Sequence, residues 1–293
     1  MTIGKCLISQ NCSPLTISDF KHLFNAAMNK IPNKRGILVD HEFVFIVLGE
    51  AMQKKVAIAV SGGSDSMALA SLASEFLGPQ NVVGMIVDHQ LQNYGVSEDP
   101  NKVQDNLVKV GIRSRILKLS WSDQASGNIS LIPGKIMQQS RDNRYRALFD
   151  ACENEGVSFL LTGHNLEDDI ITMFHRISRM SGIDGLAGMK LATTFPFASY
   201  GSDSKYILRP LLTVPKRRLV NTCVDRGVSW THDQSNDDLS FRRNECLSAL
   251  IQLQSENPSI ETELLAKFLG SFKKHRSYIH EKGNFLFFKL WLT

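Results

Sequence analysis

A doubly wound, mostly parallel α/β sheet is predicted for residues 55–240, with a small, mainly helical region after it. Val56-Ala57-Ile58-Ala59-Val60 is a short run of small apolar residues, which suits a strand buried on both faces. Ser61-Gly62-Gly63-Ser64-Asp65-Ser66 then turns the chain into Met67–Ala73, a run of good helix formers. Short apolar runs go on alternating with helical stretches to about residue 190, the pattern of a sheet covered by helices on both sides.

The elements follow in order. Residues 1–54 form an N-terminal extension, with a helix over Ile17–Met28 and an apolar run, Phe43–Leu48, inside an unassigned segment Ile37–Ala51. After the strand at 56–60, Asn81–Val87 reads as a second strand and Ser114–Leu119 as a third. Residues 120–134, rich in Ser, Gly and Asn, read as a loop. Lys135–Asn154 has helical spacing, with Met137, Tyr145, Leu148 and Phe149 on the buried face and Gly156 as its stop. Val157–Leu161 is a fourth strand. Asn165–Met180 is a helix with Ile170, Phe174 and Ile177 on one stripe. Residues 193–204 read as a loop, Tyr206–Leu208 as a short strand, and Pro215–Gly227 as a helix with proline in its first turn. The domain changes after about 240, and residues 241–293 form a short, basic, helical end.

Composition narrows the class. Hydrophobic content of 43% with 21% charge is that of a globular chain. No apolar run is long enough to span a bilayer, so no membrane is expected. Net charge of +4 permits an anionic partner without demanding one. The five cysteines, Cys6, Cys12, Cys152, Cys223 and Cys246, contain no C-x-x-C, which fits a reducing compartment and argues against a cysteine-bound metal. Residues 1–18 lack acids but also lack the arginines of a transit peptide. The compartment is thus cytoplasm for a bacterial chain and mitochondrial matrix for a eukaryotic one. A homodimer is compatible with this composition.

The turn at 61–66 is the centre of the chemistry. A strand, a glycine turn and a helix N-terminus let backbone N–H groups converge on an anion, and the helix dipole adds positive potential. Gly62 and Gly63 allow close approach, and Ser61, Ser64 and Ser66 offer hydroxyl donors. A Walker loop needs a lysine after its last glycine, and here Ser64-Asp65-Ser66 stands in that place. Asp65 meets phosphate favourably only through a cation, which points to Mg²⁺. Further polar groups lie at later strand ends: Asp88 and His89 after the second strand, and Gly163 and His164 after the fourth. Glu167, Asp168 and Asp169 crowd the next helical turn. One or two acids there would satisfy the dipole; three suggest a cation or a cationic substrate. Arg209, Lys216, Arg217, Arg218 and Arg226 fall in one stretch opposed by Asp225, and Lys273, Lys274, His275 and Arg276 make a second cluster. A single basic run is ordinarily a solvated face.

Ser61–Ser66 resembles the SGGxDS pyrophosphate loop of the ATP-pyrophosphatase superfamily, whose members cut ATP between the α and β phosphates. Four further segments resemble the tRNA(Ile)-lysidine synthase family within it: Gly163-His164 through Asp168 with Arg176; Ser181-Gly182 with Gly185–Met189; Leu208-Arg209-Pro210-Leu211-Leu212 ahead of a basic helix; and Trp230, Asp233, Ser235 and Asn236 with Arg243-Asn244. The resemblance covers about residues 55–247. It implies an adenine-nucleotide α-hydrolase-like fold, ATP and Mg²⁺. The implied reaction is adenylation of C2 of the wobble cytidine in a CAU-anticodon tRNA(Ile), followed by attack of free L-lysine to leave lysidine. That change moves codon reading from AUG to AUA. Asp65 and Asp168 are then the catalytic candidates, Asp65 also holding Mg²⁺. ATP would meet Ser61–Ser66, Asp88, His89, Gly163 and His164. Lysine would meet Glu167, Asp168 and Asp169, and tRNA would meet Arg176, Arg209, Lys216, Arg217, Arg218, Arg243 and Asn244.

The sequence departs from the family pattern in two ways. The family usually has a glutamate three positions after Asp168, and here that residue is Ile171; Asp169 stands where the family usually has Gln and is the candidate compensation, although on a helix it points elsewhere than position 171. Only 49 residues follow Arg243-Asn244, so the Lys273–Arg276 cluster is the expected substitute for a larger tRNA-gripping end. Competing readings are a tRNA thiolase, disfavoured by the lack of C-x-x-C, and a non-catalytic RNA-binding module, disfavoured by the intact Ser61–Ser66 loop.

Overall fold

A computed structural model describes residues 13–31, 55–90, 99–119, 133–196, 205–231, 242–257 and 262–291. The chain divides into two compact units: residues 1–164 with 191–235, and residues 165–190 with 236–293.

The first unit contains a six-stranded sheet in the order β3-β2-β1-β4-β6-β5. Its strands are β1 (Val56–Ala59), β2 (Val82–Asp88), β3 (Arg113–Lys118), β4 (Phe159–Thr162), β5 (Ala192–Thr194) and β6 (Tyr206–Leu208). All pairs are parallel except β5 with β6. The helices of this unit are α1 (Ile17–Met28), α2 (Ser64–Leu77), α3 (Pro100–Lys109), α4 (Pro133–Asn154) and, taking its number from chain order, α7 (Lys216–Asp225).

Alternation along the strands builds a core on each face. Val56, Ile58, Val82, Ile86, Leu161 and Leu208 face one side, with Phe20 and Phe24 of α1, Leu69 and Leu72 of α2, Leu107 of α3 and Leu219 of α7. Ala57, Val83, Met85, Leu160 and Ile207 face the other, with Tyr145 and Leu148 of α4. The sheet is therefore covered on both sides, as its near-continuous apolar strands require.

The second unit contains α5 (Leu166–Ile177), α6 (Ile183–Leu186), α8 (Arg242–Glu256) and α9 (Thr262–Trp291). Its core is Ile170, Ile171 and Met173 of α5 with Leu250 of α8 and Leu265 and Leu269 of α9.

Several expectations change. Residues 165–190 were assigned by sequence to the domain 55–240, but they group with the C-terminal helices, because the apolar stripe of α5 closes a core with α8 and α9. The extension 1–54 is not wholly peripheral, since Phe20 and Phe24 are fully buried beside Phe76 of α2. The expected loop 193–204 begins inside β5, a three-residue edge strand too short to show alternation. Helix α3 follows Asp99, which caps it by accepting from the N–H of Asn101, and Pro100 at its first position. Pro215 sits at the N-cap of α7 rather than inside it. The segment Ile37–Ala51, most of the loop 120–134, the motif residues Asp233, Ser235 and Asn236, and Cys6 and Cys12 lie outside the described residues.

Candidate functional site

The first unit places its candidate groups at the carboxyl ends of neighbouring strands β2, β1 and β4. Strand β1 hands the chain to Val60, whose N–H donates to the Met85 carbonyl (2.9 Å), so the turn leaves from the middle of the sheet. Gly62 has φ of 92°, a conformation glycine adopts without strain. Gly63 is the N-cap of α2 and supplies no side-chain cap. The first-turn amides of α2 thus meet no capping side chain, the arrangement that favours an anion.

Neighbouring groups fix the turn. The Ser66 hydroxyl donates to the Gly63 carbonyl (3.0 Å), and Ser61 and Ser66 oxygens lie 3.4 Å apart. The Ser64 hydroxyl donates to Asp65 Oδ1 (3.3 Å). The N–H of Thr231 donates to the Gly62 carbonyl (2.9 Å), and the buried Cys223 thiol donates to the Ser64 carbonyl (3.3 Å). Burial, aided by the charge of Asp65, pushes the Cys223 thiol up to about 12, so it stays a neutral donor. A Cβ on Gly163 would fall 3.0 Å from the Asp65 carbonyl carbon and the Ser66 nitrogen. The loop after β4 therefore touches the turn backbone to backbone, which only glycine permits.

Asp65 is 22% exposed, and its Oδ2 lies 3.8 Å from Nζ of Lys216, which is 38% exposed in the first turn of α7. His164 stands next to Gly163, with Nδ1 2.9 Å from the Thr162 hydroxyl. At the end of β2, Asp88 accepts from the N–H of Gln90 (2.9 Å), and His89 Nδ1 lies 3.0 Å from the Ser140 hydroxyl of α4. Ser61–Ser66, Gly163 and Lys216 thus meet directly, with His164 beside them and Asp88 and His89 on the adjacent strand end. The acid and hydroxyl donors of the loop are hard oxygens, the set that suits Mg²⁺. Among the described residues, no group of three or more His, Cys, Asp or Glu gathers as a metal site.

Several basic residues assigned to tRNA by sequence have other partners. Arg218 donates to the carbonyls of Ser13 and Pro14 and to Asp19, holding the entry to α1. Hydrogen bonds from the Thr16 cap, helped by that guanidinium, hold the Asp19 carboxyl below its usual range. Arg226, of the same basic stretch but not assigned to tRNA, pairs with Glu75 and Ser71. Arg209 is buried, and its main-chain N–H donates to the Leu191 carbonyl. Lys216 faces Asp65. Arg217 is half-exposed on α7. Sequence reasoning missed Lys216 at the phosphate loop, together with Thr162, Thr231, Cys223 and Ser140. Pro215 signalled where α7 starts, but no local pattern tells that its first turn meets Asp65.

In the second unit, two acids of the motif have clear structural partners. Asn165 and Asp168 form a capping box: Asn165 Oδ1 accepts from the Asp168 N–H (2.9 Å), and Asp168 Oδ2 accepts from the Asn165 N–H (3.1 Å). Asp169 is fully buried, accepts from the Met189 N–H (2.6 Å) and is ion-paired with Lys273. Asp169 and Lys273 are thus each other's partners in this structure. Ile171 is 5% exposed inside the apolar cluster. Arg176 donates to the carbonyls of Gly185 and Gly188 (2.8 Å each), closing the turn between α5 and residue 189. Glu167 is half-buried. Arg243 and Asn244 lie in the first turn of α8.

Residues 39–254 match the PP-loop domain family. The chain belongs to the PP-loop family. Curated relatives of this PP-loop chain are named tRNA(Ile)-lysidine synthase: one from Novosphingobium aromaticivorans is 33% identical over 64% of this chain and 53% of its own length. One from Wolbachia pipientis is 31% identical over 71% and 45%, and one from Rickettsia bellii 30% identical over 65% and 41%. The PP-loop chain therefore spans about half the length of the curated relatives it matches. Among solved structures, a U34-tRNA thiolase from Methanococcus maripaludis superposes with a TM-score of 0.52 at 17% identity, covering 83% of this chain and 84% of that one. That likeness shows a shared fold.

Proposed function

We propose that the chain is an ATP-dependent tRNA-modifying ligase of the lysidine synthase type. The observation that carries this reading is the Ser61–Ser66 turn: the N-terminus of α2, without a side-chain cap, at the carboxyl edge of a parallel sheet, with Asp65 in its first turn. The naming of its curated relatives supports the choice of tRNA as substrate.

In the proposed reaction, O2 of the wobble cytidine in a CAU-anticodon tRNA(Ile) attacks the α-phosphorus of ATP. The bond to the β-phosphate bridging oxygen breaks, and pyrophosphate leaves. The ε-amine of free L-lysine, having lost a proton, then attacks C2, and AMP leaves with the cytidine oxygen. The first-turn amides of α2 and the hydroxyls of Ser61, Ser64 and Ser66 bind the departing pyrophosphate and stabilise its growing charge. Asp65 would hold Mg²⁺, which supplies charge neutralisation on the phosphates. Asp88, His89 and His164 border the nucleoside. For the lysine ammonium, Glu167 and Asp168 are the remaining acids of the motif, with Asp169 committed to Lys273. Arg217, with Arg243 and Asn244, is the proposed tRNA contact.

A thiolase would require a sulfur-handling group. The described cysteines are Cys152 and Cys223, both buried, and Cys246, and the sequence holds no C-x-x-C. The deciding experiment incubates the protein with ATP, labelled lysine and CAU-anticodon tRNA, then examines nucleosides by mass spectrometry. Labelled lysidine is the expected product. Pyrophosphate release with an unlabelled or sulfur-bearing cytidine would overturn the lysine step.

A further inference from the structure

We infer that the first unit carries a second anion site, a pocket for the phosphate group of a small molecule, at the end of the sheet opposite the loop at 61–66. A cavity of about 370 Å³, a size usual for small-molecule sites, opens between α2, α3 and α7. Helix α2 runs toward the start of β2, and α3 toward the start of β3. The cavity therefore lies at the amino ends of these parallel strands, whereas the loop at 61–66 follows the carboxyl end of β1. Three elements line it. Ser71 and Glu75 stand one turn apart on α2, Asn106 and Lys109 close α3, and Arg226 and Ser229 follow α7.

The lining is rich in unspent donors. Arg226 Nη1 donates to Ser71 Oγ (3.3 Å) and to Glu75 (2.6 Å). A guanidinium only donates, so the Ser71 oxygen accepts and its own proton is left over. Among the described residues no acceptor takes that proton, although Ser71 is 7% exposed. A buried hydroxyl in this state calls for an acceptor in the cavity. Lys109 spends one N–H on Asn106 Oδ1 (3.3 Å), and no acid pairs with it among the described residues. Glu75, the one acid of the lining, is already matched by Arg226, so the charge of Lys109 stands uncompensated. Neither cation is needed to cap its helix. Gly111 and Gly227, both with positive φ, close α3 and α7. The N–H groups of Gly111 and Ile112 take the Val108 and Leu107 carbonyls, and those of Gly227 and Val228 take the Val224 and Cys223 carbonyls. Donors that come from three separate elements suit a tetrahedral phosphate better than a planar carboxylate.

The test uses the full chain and two probes. Crystals soaked in tungstate, a tetrahedral oxyanion with a strong anomalous signal, locate the site, and calorimetry with inorganic phosphate measures affinity. An anomalous peak is expected between Ser71, Lys109 and Arg226, whether or not a second one appears at the loop 61–66. Lys109→Met should weaken phosphate binding at this site by about tenfold, as for loss of a charge-assisted contact, and Ser71→Ala by a smaller factor. Lys109 is exposed, so Lys109→Met should melt within about 2 °C of wild type. Its tungstate peak in the cavity should fade while any peak at the loop stays. A peak at the loop alone would overturn the inference, and so would phosphate affinity unmoved in both variants; the cavity then holds water only. Lys109→Met that weakens tRNA binding, with no oxyanion in the cavity of wild type, would also overturn it and give Lys109 to the tRNA backbone instead.

Discussion

The two units use charged residues in opposite ways. In the first, Asp65 and Lys216 are 22% and 38% exposed, held by a backbone scaffold that leaves their ends accessible. In the second, Asp168 closes a capping box, and Asp169 is fully buried on Lys273. There Ile171, where the family resemblance led to the expectation of an acid, is core. Density of acids along a chain is therefore a poor guide to chemistry. What separates the two settings is access: Asp65 keeps a partly exposed end, whereas Asp169 is fully buried on its partners.

The sharpest way to break this contrast is Asp65→Ala. Loss of the loop acid is expected to abolish ATP-dependent pyrophosphate release. Thermal melting should move little, since Asp65 makes a long, partly exposed pair. Retained release would remove Asp65 from the reaction and leave the first unit without its proposed metal ligand.

The matching change in the second unit is Ile171→Glu. From the sequence, a restored glutamate is expected to tighten lysine binding. The structure reverses that expectation. Ile171 packs with Ile170, Met173, Leu250, Leu265 and Leu269, so a glutamate there is buried without a partner. The expected cost is about 3 kcal/mol or more, read by denaturant unfolding. If Ile171→Glu is as stable as wild type and binds lysine more tightly, the helix presents this position to ligand and the assignment of α5 to a core is wrong.

These two variants also mark what was legible in the sequence. The β1–turn–α2 unit could be read because its signals are local: a small apolar run, paired glycines and a run of helix formers. The parallel order and the two-faced core followed from apolar strands alternating with helices. The fate of the acid motif was not legible. Position i,i+3 from Asp168 is the same on paper whether α5 faces a pocket or α8 and α9, and partners some 80 to 100 residues away in sequence decide it. The partners of the basic helix were not legible for the same reason, since it reads as one face until Arg218 turns to Asp19 and Lys216 to Asp65. Edge strand β5 was missed because three residues carry no period.

Asp168→Asn gives a smaller, more selective effect. Asparagine keeps an oxygen able to accept the Asn165 N–H, so the capping box largely persists and the stability change should stay below about 1 kcal/mol. Pyrophosphate release should survive, because it needs the loop at 61–66. If Asp168 contacts the lysine ammonium, KM for lysine should rise by about tenfold or more and adenylated tRNA should accumulate. If KM for lysine is unchanged, Asp168 is a capping residue alone, and Glu167 is the acid to examine. If pyrophosphate release stops instead, Asp168 belongs with the ATP site.

The finest comparison sets two adjacent arginines of α7 against each other. Arg217 is half-exposed, while Arg218 is tied to Ser13, Pro14 and Asp19. On sequence they are equivalent. A tRNA contact at Arg217 adds counter-ion release, so Arg217→Glu should weaken tRNA binding several-fold and flatten the log-log salt slope by about 1. Arg218→Glu puts a second carboxylate beside Asp19 and removes the donors holding residues 13 and 14. It should lower stability by about 1 kcal/mol, the scale of a lost, partly exposed charged contact, and leave the salt slope of tRNA binding where it was. Measuring both slopes across the same salt range separates the roles. If Arg218→Glu changes the slope as much as Arg217→Glu, the guanidinium of Arg218 leaves Asp19 when tRNA arrives. If neither does, α7 offers tRNA no phosphate contact at these positions, and the contact surface must be sought on the first turn of α8.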